Sequence, residues 1–168
     1  MRIILLLLSF GLMADNEIYI DQTGNNVAID IEQLGSSNLI GGDDAISGTM
    51  TAAVFSGANW TLDINQIGSS NKFLTDGILG SDFTGYFEFN GDSNEFEFSM
   101  DTTGLNGADY IDFNVDLTGS SNVFDIDLAE LSAADYADLD ILILGDSNDL
   151  TWDIDSEYYT AYVDIFGD

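Results

Sequence analysis

Through most of the chain apolar and polar residues alternate one for one. Ile111, Phe113, Val115 and Leu117 interleave with Asp112, Asn114, Asp116 and Thr118, and Phe124, Ile126 and Leu128 follow with Asp125 and Asp127 between them. The same alternation runs through Leu139, Ile141 and Ile143, through Leu150, Trp152 and Ile154, and through Phe96, Phe98 and Met100. Near the start, Ile18, Ile20 and Gln22 lead into Gly24, and Leu62, Ile64 and Gln66 lead into Gly68. A period of two sends successive side chains to opposite faces of an extended chain, so each stretch predicts a strand with one buried face.

Between these strands one tetrapeptide recurs. Gly-x-Ser-Asn stands at Gly35–Asn38, Gly68–Asn71, Gly91–Asn94, Gly119–Asn122 and Gly145–Asn148, with glycines 33, 23, 28 and 26 residues apart. Gly24-Asn25-Asn26 is a shorter relative, and Gly167-Asp168 stands where a further copy would begin. Gly and Asn tolerate positive φ, which suits them to a tight turn. Each unit therefore reads as strand, turn, strand and a looser return, with returns expected at residues 75–85, 102–109 and 129–135. The Ser-, Thr- and Ala-containing segment 41–57 reads as an irregular inserted loop.

One such unit cannot bury its own apolar face, whereas units stacked one strand-spacing apart form a continuous core. A barrel or sandwich would show the alternation but has no need for a turn repeated in identical chemistry. The expected fold is all-β: a β-solenoid of about five to six stacked strand-turn-strand rungs.

Composition then removes most chemistry. The 168 residues hold no His, Cys or Pro, and 31 Asp and Glu against 2 Lys and Arg, for a formal net charge of −29. Histidine-based triads, thiolate nucleophiles and Cys- or His-ligated metals are excluded. So is nucleic acid as a partner, since phosphate binding needs Lys and Arg. With 11 Phe, 7 Tyr and 2 Trp the chain does not have the composition of a disordered acidic one. Paired carboxylates can hydrolyse glycosides, but nothing marks one pair among so many, so no catalytic residue is assigned and the chain reads as a non-enzyme.

Arg2 followed by the apolar run 3–12 and the small Ala14 reads as a secretory signal peptide over residues 1–14, too short to span a bilayer. Residues 15–168 then form the repeat domain. The expectation is an exported protein, extracellular or at the cell surface, without a transmembrane segment.

At Gln22-x-Gly24, Gln33-x-Gly35-x-x-Asn38 and Gln66-x-Gly68-x-x-Asn71 the sequence resembles the curlin repeat of bacterial curli fibre subunits, and Asn26-Val27-Ala28 is similar to that repeat's Asn-x-Ala. The resemblance implies a stacked solenoid whose inward Gln and Asn form ladders, polymerising into amyloid-like fibres for adhesion or biofilm matrix. The turn and ladder set it implies is Gln22, Gly24, Asn26, Gln33, Gly35, Asn38, Gln66, Gly68, Asn71, Gly91, Asn94, Gly119, Asn122, Gly145 and Asn148. The Gln position is apolar in later units (Phe89, Leu117, Ile143, Ile165), and the acidic bias is unlike the familiar subunits.

Stacking would also set acids in columns about 4.8 Å apart. Three residues before each Gly the column is Asp21, Glu32, Asn65, Glu88, Asp116, Leu142 and Asp164; five before, it is Tyr19, Asp30, Asp63, Tyr86, Asn114, Asp140 and Tyr162. Unit charges at that spacing repel by roughly 1 kcal/mol each in bulk water, and the candidates to offset them are high ionic strength, bound divalent cations or raised carboxyl pKa values. Calcium is the cation that carboxylates would select, with no site assigned and no other cofactor implied. Uncapped terminal strands are templates for pairing, which makes a second copy the expected partner, with a nucleator or surface glycans as further candidates. The alternative is a monomeric or phage-associated solenoid that binds glycans or cations.

Overall fold

The computed structural model describes residues 15–43, 50–78, 81–100, 110–128, 134–154 and 156–167. The chain runs β1 (Asp15–Tyr19), β2 (Asp21–Thr23), β3 (Val27–Leu34), β4 (Ser37–Asp43), β5 (Met50–Thr51), β6 (Val54–Ser56), β7 (Trp60–Ile67), β8 (Ser70–Ile78), β9 (Asp82–Asn90), β10 (Ser93–Met100), β11 (Tyr110–Thr118), β12 (Ser121–Leu128), β13 (Ala134–Leu144), β14 (Ser147–Ile154) and β15 (Ser156–Phe166). Strands after the turns form one parallel sheet in the order β1-β4-β8-β10-β12-β14; those before them form a second, β15-β13-β11-β9-β7-β3. Parallel neighbours need a long crossover, and here each crossover is the strand of the opposite sheet. The result is a β-solenoid of about five turns.

Register follows the repeat. Phe113 pairs with Gly85 and Leu139, and Phe124 with Phe96 and Leu150, so equivalent residues lie directly over one another. The apolar half of each alternation points between the sheets. Phe73, Phe96 and Phe124 stack in one column with ring centroids 5.5 and 5.4 Å apart. Phe87 reaches Phe96 from the other sheet at 4.9 Å. Gly85 occupies an inward position where a Cβ would run into the rings of Phe83 and Phe87, so those rings fill its space.

Three local expectations are corrected. Residues 75–85 are not all a loose return: Thr75 lies within β8 and Asp82 opens β9, because ladder pairing to β10, β7 and β11 continues where the apolar alternation lapses, while residues 79–80 lie outside the described residues. The segment 41–57 is not wholly irregular either. β5 pairs antiparallel with β4, Ala53 bridges to Thr75, β6 pairs with β2, and Ala53 and Phe55 are buried in the core. Third, Ile18, Ile20 and Gln22 do not lie on one strand before Gly24. β1 belongs to the after-turn sheet, with Asn16 opposite Asn38, and β2 pairs separately with β6. The signal-peptide expectation for residues 1–14 and the return at 102–109 lie outside the described residues, as do residues 129–133 of the third return.

Candidate functional site

The repeated corner is built by three devices. The first is a ladder of asparagines along the inside of the turn. Asn16 Nδ2 donates to Asn38 Oδ1, Asn38 to Asn71, Asn71 to Asn94, Asn94 to Asn122 and Asn122 to Asn148, all at 2.8–2.9 Å. Asn38, Asn71, Asn94 and Asn122 are buried, so each amide exchanges water for a neighbour on both sides. At two positions a second amide hydrogen goes to the next rung's main chain, from Asn16 to Leu34 O at 2.7 Å and from Asn94 to Thr118 O at 3.0 Å, whereas that of Asn38 goes to Gln33 O of its own rung at 3.3 Å.

The second device is the turn glycine. Positive φ is not its purpose, contrary to the expectation from turn chemistry. A Cβ built at Gly68, Gly91, Gly119 or Gly145 would instead fall on the carbonyl oxygen of Gly35, Gly68, Gly91 or Gly119. Rungs at strand spacing leave no room there for a side chain. Among the described residues positive φ occurs at Asn26 (57°), Asn59 (58°) and the glycines beside them, Gly24 and Gly57, all at the opposite corner.

The third device is a short glutamine ladder. Gln66 Nε2 donates to Gln33 Oε1 at 2.6 Å, and Gln33 Nε2 to Asn16 O at 3.0 Å. The column continues as Phe89, and Gln66 Oε1 is buried without a partner among the described residues.

Three residues grouped with these by sequence belong elsewhere. Gln22 is exposed and bonds only weakly, to Thr23 O at 3.3 Å; Gly24 and Asn26 stack on Gly57 and Asn59 at the second corner, where Asn59 Nδ2 donates to Asn26 Oδ1. A Gln-x-Gly step reads alike at either corner, and only pairing tells the two apart. Asn16 was missed because Met13-Ala14-Asp15 precede it in place of Gly-x-Ser.

Outside, the acids form columns. Asp30 lies over Asp63, Glu88 over Asp116, Asp112 over Asp138, Glu97 over Asp125 and Asp127 over Asp153. Tyr19 and Asp21 are not in the columns proposed for them, since they pair with Gly41 and Val54. Lys72 meets Glu95 at 2.6 Å on the surface. Among the described residues no three acids converge as a metal site, and no helix is long and apolar enough to cross a membrane.

Burial and, secondarily, the charge of Asp140 raise the pKa of the Asp116 carboxyl above its ordinary value. The folded state therefore holds this proton more tightly than the unfolded state, so its unfavourable contribution grows as pH rises through the raised pKa and vanishes once both states are protonated. Asp116→Asn is expected to melt about 1–3 °C above the parent at pH 7, since a part-solvated charge is worth under about 1 kcal/mol. By about pH 3, below the ordinary carboxylate pKa, the difference should close. Thermal melts followed by circular dichroism across that range would show a constant difference if burial of Asp116 played no part.

Among the described residues nothing covers either end of the stack. At the β14/β15 end Leu150, Trp152, Val163 and Ile165 line an apolar recess of about 340 Å³. Trp152 and Ile165 are 46% and 49% exposed, while their column neighbours Ile126 and Ile143 are fully buried. At the other end Asn16, Ile18, Gln33 and Leu34 border a second recess, beside edges of β1 and β3 that pair with no strand among the described residues. Along the outer face Tyr110, Tyr136 and Tyr158 stack at 6.1 and 6.0 Å, each about half exposed.

The arrangement thus defines a parallel β-solenoid whose two ends are uncovered among the described residues. No protein-family model matches the chain, and neither a curated protein nor a solved structure matches it.

Proposed function

We propose that this chain is a secreted structural subunit that stacks on copies of itself to form extracellular amyloid-like fibres, serving adhesion or a biofilm matrix. The observation that carries the reading is that, among the described residues, both ends of the stack present strand edges with no neighbour and part of the hydrophobic core. Edges of this kind pair with further strands unless they are covered or charged at the edge itself. The curlin-like Gln and Asn positions, several of which form ladders inside the stack, support the same reading, and the leader-like residues 1–14 support export. Calcium or a nucleator would act on assembly rather than on chemistry.

Assembly must work against the acid columns. High ionic strength shortens the screening length to a few Å, so fibre yield is expected to rise steeply from low salt with chelator to seawater-like salt or added calcium. Electron microscopy and fibre diffraction of protein recovered after expression of the full chain should show unbranched fibres with a meridional spacing near 4.7 Å. Equal yields in all conditions would remove the electrostatic part of the argument. A persistently soluble monomer would instead favour the second reading, a surface solenoid that binds glycans. The exposed Tyr110-Tyr136-Tyr158 column supports that reading, because stacked aromatic faces suit sugar rings.

A further inference from the structure

The two ends of the stack carry complementary halves of the repeated corner. Gly167 already sits in the turn-glycine column: a Cβ there would strike Gly145 O, as at the internal turns. No asparagine lies over Asn148 among the described residues, and its Nδ2 turns back to Gly145 O at 2.9 Å. At the opposite end Asn16 occupies the asparagine column, and among the described residues no turn glycine stands on its rung. Its amide donates inward to Leu34 and Asn38, and its Oδ1 accepts nothing among the described residues.

The ladder is also directional. Every bond runs from the Nδ2 of one rung to the Oδ1 of the next rung in sequence order. One end of the molecule therefore offers a hydrogen-bond donor and the other an acceptor.

We propose, on the basis of the self-stacking reading above, that copies join through a corner shared between two chains, Gly167 of one and Asn16 of the next supplying its halves while Asn148 Nδ2 donates to the next copy's Asn16 Oδ1. β1 of the next copy then continues the β14 sheet, and its β3 continues the β15 sheet. The register sets Ile18 over Leu150, Ile31 over Val163 and Gln33 over Ile165, which closes both recesses. Like ends do not join, because two donors or two acceptors would meet. Fibres are polar, and each copy advances the axis by about 29 Å, six strand spacings of about 4.8 Å.

The joint places Glu17 of one copy beside Asp149 of the other. Both side chains are exposed, and the chain contains no cysteine. Neighbouring strands lie within the Cα separation a disulfide accepts. Glu17→Cys and Asp149→Cys would be prepared separately, checked for the parent's circular dichroism, mixed in assembly conditions and oxidised with diamide. The mixture is expected to give a cross-linked dimer at least tenfold more abundant than either variant alone. Homodimers from one variant alone, or fibres without the mixed cross-link, would overturn the shared corner and leave the fibre reading standing; no assembly at all would overturn both. Asn148→Asp still accepts from Asn122 but has nothing to donate. It is expected to fold as the parent does and elongate at least tenfold more slowly, and elongation at the parent's rate would remove the ladder from the joint.

Discussion

Phe96→Ala is expected to destabilise the chain by about 3–5 kcal/mol, the range for truncating a buried aromatic ring. Phe96 is fully buried and packs on Phe73, Phe87, Phe89, Phe98 and Phe124, with ring centroids 4.9–6.2 Å away. The cavity should stay open, because the strands around it are held at fixed spacing by parallel ladders on both sides. In a domain of this length such a loss lowers Tm by roughly 6–20 °C. Because rungs contact chiefly their neighbours, a central defect should also uncouple the two halves. Urea unfolding is therefore expected to show a broader or two-step transition as well as a lower midpoint. A change under about 1 kcal/mol with an unaltered slope would mean that the rungs can close over the missing ring.

The second large effect is expected from Asn94→Ala. Asn94 is 2% exposed, accepts from Asn71 at 2.8 Å and donates to Asn122 at 2.8 Å and to Thr118 O at 3.0 Å. Truncation leaves the buried Asn71 Nδ2–H and Asn122 Oδ1 without that partner, while Thr118 O keeps the Gly91 N–H, and each group left short costs about 1–3 kcal/mol. A total of about 2–6 kcal/mol follows from these two groups. Asn148→Ala, at the half-exposed end of the same ladder, should cost about 1 kcal/mol, because water replaces the lost partners there. Equal losses at the two positions in matched urea titrations would show that the ladder's contribution does not depend on burial.

Much of the outer surface was legible before any coordinates. Constant offsets from each glycine correctly stack Asp30 on Asp63, Asp63 on Tyr86, and Glu88 on Asp116. Strict alternation leaves one way to hide the apolar half, and a shared turn aligns the rungs. The same reasoning failed at Tyr19 and Asp21, which were counted back from Gly24 as though it were a turn glycine of the repeated corner. Gly24 turns the opposite corner, and nothing local distinguishes the two. The segment 41–57 was misread for a related reason. Small and polar residues resemble a loop until Phe55 is seen packed against Trp60, with ring centroids 5.4 Å apart.

Alternation and the recurring Gly-x-Ser-Asn by themselves determined the strands, the buried face, the stacking of rungs and the acid columns, because each follows from a period that the backbone must obey. Tertiary structure alone decided three matters: that Asn16 belongs to the ladder, that the turn glycines are required by the neighbouring carbonyl rather than by their own φ, and that the ends carry a donor and an acceptor. Each depends on which strand lies one spacing away, and that neighbour is typically more than twenty residues distant along the chain. Local sequence carries the shape of a rung, while the contact between rungs exists only after stacking.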